Sequence, residues 1–101
     1  MPVWIKIGSK ASLPGPGEAA EFDAAGKMIC VANVNGACSA MDNACLHHGA
    51  PLGQGVVMDG KVICPWHGWA YDAVSGESDR GNVRVAVYPL KVEGDDVLIE
   101  M

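Results

Sequence analysis

Cys45-Leu46-His47 and Cys64-Pro65-Trp66-His67 stand 16 residues apart, and the chain between them carries Gly49, Pro51, Gly53 and Gly55. Within that interval Val56-Val57-Met58, Asp59-Gly60 and Lys61-Val62-Ile63 read as a hairpin with Asp-Gly at its turn. Such a segment folds back on itself, so both Cys and His clusters can face a common point. Two thiolates and two imidazoles meeting there make a metal-ligand set.

Zinc is the first candidate, since two cysteines and two histidines form a common structural zinc site. Zinc fingers, however, place their cysteines two to four residues apart and their histidines together, whereas here each cluster mixes one Cys with one His. A two-iron, two-sulfide cluster suits that mixture. Two cysteines can take one iron and two histidines the other, with one residue of each kind from each loop.

Outward from the clusters the chain alternates strands and turns. On the N-terminal side, Val3, Ile5 and Ile7 repeat with a period of two. Residues 11–17 hold two prolines and two glycines and read as a loop. Glu18 to Phe22 is a short strand, Asp23-Ala24-Ala25-Gly26 a turn, and Lys27 to Asn33 a strand buried on both faces. Asn35-Gly36 is a favoured two-residue hairpin turn, with Ala37 to Met41 returning antiparallel. That register pairs Asn33 with Cys38 and puts Cys30 and Cys38 on opposite faces, unable to bond within the hairpin.

On the C-terminal side, Ala70-Tyr71-Asp72 reads as a short strand, and Val83, Val85 and Val87 alternate as the clearest strand of all, closed by Pro89. Leu90 to Glu93 and Val97 to Glu100 form a last hairpin around Gly94-Asp95-Asp96. No stretch has a helical period. Nine or ten short strands predict an all-β antiparallel sandwich or barrel, with residues 43–72 as a small inserted lobe.

The 101 residues predict one domain with a modest core. Seven Lys and Arg against twelve Asp and Glu give a formal charge of −5, which disfavours nucleic acid and favours a partner with a basic patch. No signal-peptide pattern and no apolar run near the ~20 residues of a membrane helix is found, so the expectation is a soluble cytoplasmic chain without a membrane partner. All four cysteines are then expected as reduced thiols or thiolates.

The pattern C-x-H, 16 residues, C-x-x-H resembles that of the Rieske iron-sulfur proteins. Cys64-Pro65-Trp66-His67-Gly68-Trp69-Ala70-Tyr71-Asp72 is similar to their second cluster loop, and Gly49-Ala50-Pro51-Leu52 to the G-x-P-L that follows their first. The resemblance implies a Rieske-like fold and a [2Fe-2S] cluster, with Cys45 and Cys64 on the inner iron and His47 and His67 on an outer, surface-facing one. Two thiolates in place of four leave the oxidised cluster about neutral, which accounts for Rieske potentials of about −150 to +300 mV against about −400 mV in plant-type ferredoxins.

Departures from the respiratory members of that family lower the expected position in the range. Trp66 stands where their second-loop cysteine would be, no cysteine near Gly49 pairs with it, and Trp69 replaces a serine that donates to a bridging sulfide. Tyr71 either packs with its hydroxyl on backbone or water, or pulls the other way by donating to a ligand sulfur. Trp66 and Trp69 are each either core aromatics or a docking rim. His48, Pro51 and Pro65 read as a solvent-facing side chain and two loop-shaping residues.

The resemblance implies an electron carrier rather than an enzyme: a low-potential Rieske ferredoxin between a flavin-dependent reductase and a terminal oxygenase. Its alternatives are a small Rieske subunit bound to the large subunit of an NADH-dependent nitrite reductase, and a zinc-stapled binding module.

Overall fold

The computed structural model describes residues 3–46, 49–66, 68–79 and 83–101. Ten strands run through them in three antiparallel sheets: β1 (Trp4–Ser9), β2 (Ala19–Ala24), β3 (Lys27–Val34), β4 (Ala37–Asp42), β5 (Val56–Met58), β6 (Lys61–Ile63), β7 (Ala70–Asp72), β8 (Val87–Tyr88), β9 (Leu90–Glu93) and β10 (Asp96–Glu100). The sheet orders are β1-β10-β9, β2-β3-β4-β8 and β5-β6-β7. Two short 3-10 turns, Lys10–Ser12 and Leu52–Gln54, are the helical elements among the described residues.

Three of the hairpins close through two-residue turns whose central residues both have positive φ: Ala25-Gly26 (53° and 94°), Asn35-Gly36 (53° and 96°) and Asp59-Gly60 (54° and 76°). Asn and Asp tolerate that region because their short polar side chains bond locally, and glycine because it has no Cβ. Ala25 has neither advantage. Its turn is held instead by the Asp23 carboxylate, which accepts the Gly26 N–H at 2.7 Å, and Ala24 remains in the ladder opposite Lys27. The turn is therefore two residues shorter than the four read from sequence.

The central sheet is covered on both faces, which explains the unbroken apolar run of β3. Ile29 and Val31 join Phe22, Ala24, Ala40 and Ile99 in one core, against the β1-β10-β9 sheet. Cys30, Ala32 and Met41 point the other way, into a second core with Leu52, Val62, Cys64 and Tyr71. Burying a side chain of the size of Met41 or Leu52 stabilises the fold by about 1.5–3 kcal/mol. The observed pair Asn33 and Cys38 matches the register fixed by the Asn35-Gly36 turn. Cys30 and Cys38 accordingly lie in different cores, and none of the four cysteines is joined in a disulfide.

The proline-glycine loop is pinned rather than loose. Asn33, nearly buried, donates through Nδ2 to the Pro14 carbonyl at 2.8 Å and accepts the Gly36 N–H at 2.7 Å. The Asn33 carbonyl in turn accepts the Gly17 N–H at 2.9 Å.

Val83 to Val87 departs from the sequence reading. Only Val87 and Tyr88 form a strand, β8, opposite Met41 and Ala40. The preceding residues divide their hydrogen bonds between two neighbours: the Ser78 N–H donates to the Val83 carbonyl and the Val85 N–H to that of Gly76, an isolated bridge of Arg84 with Glu77, while the Asp42 N–H donates to the Ala86 carbonyl. No single neighbour supplies a ladder, and of the three valines only Val85 is buried.

Candidate metal centre

Both cluster loops leave the ends of strands and are closed by the same backbone pattern. In the first, the Cys45 N–H donates to the Ala50 carbonyl at 2.8 Å while the Cys45 carbonyl accepts the Gly49 N–H at 2.8 Å. In the second, the Cys64 N–H donates to the Trp69 carbonyl at 2.7 Å and its carbonyl accepts the Gly68 N–H at 3.3 Å. Each cysteine thus bonds residues four and five positions ahead. Gly49 and Gly68 sit at matching φ of 69° and 72°, in open space. The backbone turn, not crowding, calls for glycine at these two positions.

This frame sends the thiols inward and the loop tips outward. Cys45 and Cys64 are each 2% exposed and share one apolar core, whereas Leu46 and Trp66 are 50% and 59% exposed. Trp69 packs against that core, so the two tryptophans divide the roles between which the sequence left them: Trp69 is a core aromatic and Trp66 a surface one. His47, His48 and His67 lie outside the described residues.

Tyr71, fully buried on β7, ties the loops together. Its oxygen accepts the Leu46 N–H at 3.0 Å and lies 3.1 Å from the Cys45 sulfur. With the amide occupying a lone pair, the hydroxyl hydrogen is free to point at the sulfur. Burial first, and then the hydrogen bond to Cys45, raise the phenol well above its usual pKa, so it remains a donor. Two buried thiols in one apolar core, unjoined by a disulfide and supplied with a phenolic donor, fit the thiolate half of a [2Fe-2S] site.

Sequence reasoning gave no role to the base of the first loop. Asn43, 7% exposed, accepts the Leu52 N–H on its carbonyl at 2.6 Å and the Gly53 N–H on Oδ1 at 2.7 Å. Its Nδ2 donates to Glu21 on β2 at 2.7 Å. The second loop has a smaller counterpart, the Asp79 carboxylate accepting the Ala70 N–H at 3.1 Å. The available signal for Asn43 was only its place two positions before Cys45, between Asp42 and Ala44; its partner, 22 positions away, had none.

The comparisons with known proteins agree with this geometry. The Rieske [2Fe-2S] domain model matches residues 3–89. The ferredoxin component of a biphenyl 2,3-dioxygenase from Rhodococcus jostii is 34% identical over 99 residues, covering 95% of this chain and 91% of that one. The ferredoxin component of a naphthalene 1,2-dioxygenase system from Pseudomonas aeruginosa is 28% identical, with 97% and 95% covered. Apoptosis-inducing factor 3 from mouse is 36% identical over 76 residues, and the match spans only 12% of its length. Among solved structures, the Sphingomonas yanoikuyae B1 ferredoxin superposes with a TM-score of 0.86 at 25% identity over 98% of this chain and 99% of that one. The fold is also shared with a nitrite reductase small subunit from Mycobacterium tuberculosis, at a TM-score of 0.87 and 22% identity over 100% and 96% of the two chains. With two buried thiols presented by matched loops on an antiparallel β scaffold, and a family model spanning both loops, the chain belongs to the Rieske [2Fe-2S] domain family.

Proposed function

We propose that the chain is a one-electron carrier in which Cys45 and Cys64 hold one iron of the Rieske cluster while His47 and His67 hold the other. The observation that carries the reading is the division within each loop: a thiol 2% exposed, followed within two residues by a side chain at least half exposed. Bound there, the cluster takes up and returns one electron. The protein's part is to bury the thiolate end in an apolar core and leave the other end beside the exposed Leu46 and Trp66, where a partner can approach closely. An apolar rim of this kind desolvates readily on contact.

The chain functions, on this reading, as one unit with residues 43–72 as its cluster lobe, in the cytoplasm, between a flavin-dependent reductase and a terminal oxygenase. The dioxygenase ferredoxin components that match it along nearly their whole length support that assignment. No helix among the described residues is long and apolar enough to cross a membrane. Packing of Trp69 into the core, at the position where a serine would donate to a bridging sulfide, supports a potential in the low part of the Rieske range.

Metal analysis and visible spectroscopy test the ligand assignment. The purified protein should contain iron and acid-labile sulfide in equal amounts and bleach on reduction, and Cys45→Ser or Cys64→Ser should abolish both. A colourless protein holding zinc would overturn the assignment in favour of a zinc-stapled module. Reduction by the flavoprotein should slow as salt rises, given the net charge of −5, and indifference to salt would remove electrostatic steering. Isolation in a fixed, tight stoichiometry with a large NADH-dependent subunit would replace the carrier by the nitrite reductase reading.

A further inference from the structure

Residues 43–54 leave β4, carry the first cysteine and end in the 3-10 turn Leu52–Gln54. Both ends of this segment converge on one side chain. Glu21, on β2, accepts from Asn43 Nδ2 on Oε2 at 2.7 Å and from Gln54 Nε2 on Oε1 at 3.1 Å. Asn43 reaches back across the same gap to the Leu52 and Gly53 amides at 2.6 and 2.7 Å. Four hydrogen bonds therefore close the base of the loop, and each carboxylate oxygen of Glu21 serves a different end of it.

Space at the closure is tight. A Cβ on Gly53 would collide with Glu21 Cγ and approach Asn43 Oδ1 to 2.9 Å and the Ala20 carbonyl carbon to 3.0 Å. Only glycine fits there against the Glu21 and Asn43 side chains and the Ala20 backbone. Glu21 is also the cross-strand partner of Cys30, whose side chain lies in the core that holds Cys45 and Cys64. A shift of Glu21 is thus passed to the thiol core along β3 as well as along the loop.

We propose that Glu21 and Asn43 are positioning residues for the cluster: the Glu21 carboxylate clamps the two ends of the first loop and so sets where Cys45 stands relative to Cys64. The proposal rests on the assignment of Cys45 as a ligand, and it commits to the donor and acceptor pattern of the clamp rather than to the charge of Glu21.

An exchange of partners tests the pattern, and hydrogen exchange at the loop base separates it from charge. In Glu21→Gln the new amide can accept from Asn43 or from Gln54 but must set its own NH2 against the other, so one bond is lost. In the double variant Glu21→Gln/Gln54→Glu the pattern is restored with the sequence's net charge unchanged. Hydrogen exchange of the loaded protein, read by mass spectrometry over residues 50–55, should be about fivefold faster in Glu21→Gln, the equivalent of one net hydrogen bond. The visible circular dichroism and the midpoint potential of the cluster should move with it, and all three readouts should return toward wild type in the double variant. Asn43→Asp, which keeps the Gly53 contact but turns the Glu21 contact into carboxylate repulsion, should exceed Glu21→Gln in each readout.

Unchanged exchange over residues 50–55 in both Glu21→Gln and Asn43→Asp would overturn the clamp. A potential that shifts in Glu21→Gln while exchange over residues 50–55 stays as in wild type would overturn positioning in favour of plain charge. If Asn43→Asp does not fold, Gln54→Ala, which removes one exposed contact, should still speed exchange over residues 50–55. Loss of iron in Cys45→Ser tests the ligand assignment separately, because the exchange measurement on Glu21→Gln can be repeated without the cluster.

Discussion

Replacing Tyr71 by Phe removes one oxygen from the floor of the site and nothing from its volume, so it isolates a hydrogen bond. The hydroxyl lies 3.1 Å from the Cys45 sulfur and 3.0 Å from the Leu46 amide. A bond to a charged acceptor is worth about 1.5–3 kcal/mol. It is present in both redox states, and only its strengthening on reduction alters the potential. The added electron is shared over the cluster and its ligands, so about half of that energy, roughly 0.8–1.5 kcal/mol, is a reasonable differential. At about 59 mV per 1.4 kcal/mol for one electron, Tyr71→Phe should lower the midpoint by roughly 30–60 mV. Protein-film voltammetry or an optical redox titration reads a shift of this size. The variant also strands the Leu46 N–H, at a cost of about 1–3 kcal/mol in unfolding free energy. A lower stability with an unchanged or raised midpoint would refute the reasoning, since it would show that the hydroxyl serves the amide and not the sulfur.

Two further outcomes follow from the packing. Gly55→Ala would drive a Cβ into the Ile63 carbonyl oxygen, with the Leu52 oxygen 3.2 Å away; splaying β5 from β6 should cost about 1–3 kcal/mol and speed cluster loss to a chelator, and an unaltered denaturation midpoint would count against that crowding. Burial, aided by the nearby Glu21 charge, pushes the Cys30 thiol from 9.0 up to about 12. Its proton is therefore kept in the folded state at pH values where the unfolded chain gives it up. The contribution to stability is constant below about pH 9 and is lost as pH rises toward 12. At pH 10.5 the loss is about 2 kcal/mol at 1.36 kcal/mol per unit. Urea titrations at pH 8 and 10.5 should show that fall, and Cys30→Ala should flatten it; equal slopes in the two proteins would exclude Cys30 as its source.

Much of the fold is legible because turn chemistry fixes register. Asn35-Gly36 sets Asn33 opposite Cys38, and from that one pair the faces of β3 and β4 follow residue by residue. The same logic fails for Val83 to Val87, where no turn anchors the segment. A period of two records only what a strand would bury, and this segment hands successive hydrogen bonds to residues 76–78 and to β4 in turn. The Glu21 to Asn43 contact was illegible for a different cause. It joins two polar residues 22 positions apart, and neither has a periodic signal that names its partner.

Tyr71 lies between these cases. Its sequence context leaves packing and sulfur contact equally open, yet the Asp59-Gly60 turn already decides the matter one strand away. That turn sets Val57 opposite Val62, and the antiparallel pairing of β6 with β7 sets Val62 opposite Tyr71. Residues directly opposite share a face, so Tyr71 enters the same core as Val62, beside Cys45 and Cys64. A slip of one residue in either pairing would turn the phenol toward solvent and put Ala70 or Asp72 toward the thiols. Placement of the sulfur's hydrogen-bond donor is in this sense a consequence of a two-residue turn that ends eleven positions before it. A change at Asp59-Gly60 that altered the hairpin's register would therefore be felt at the metal centre, as a loss of the Tyr71 donor, even with both cysteines in place.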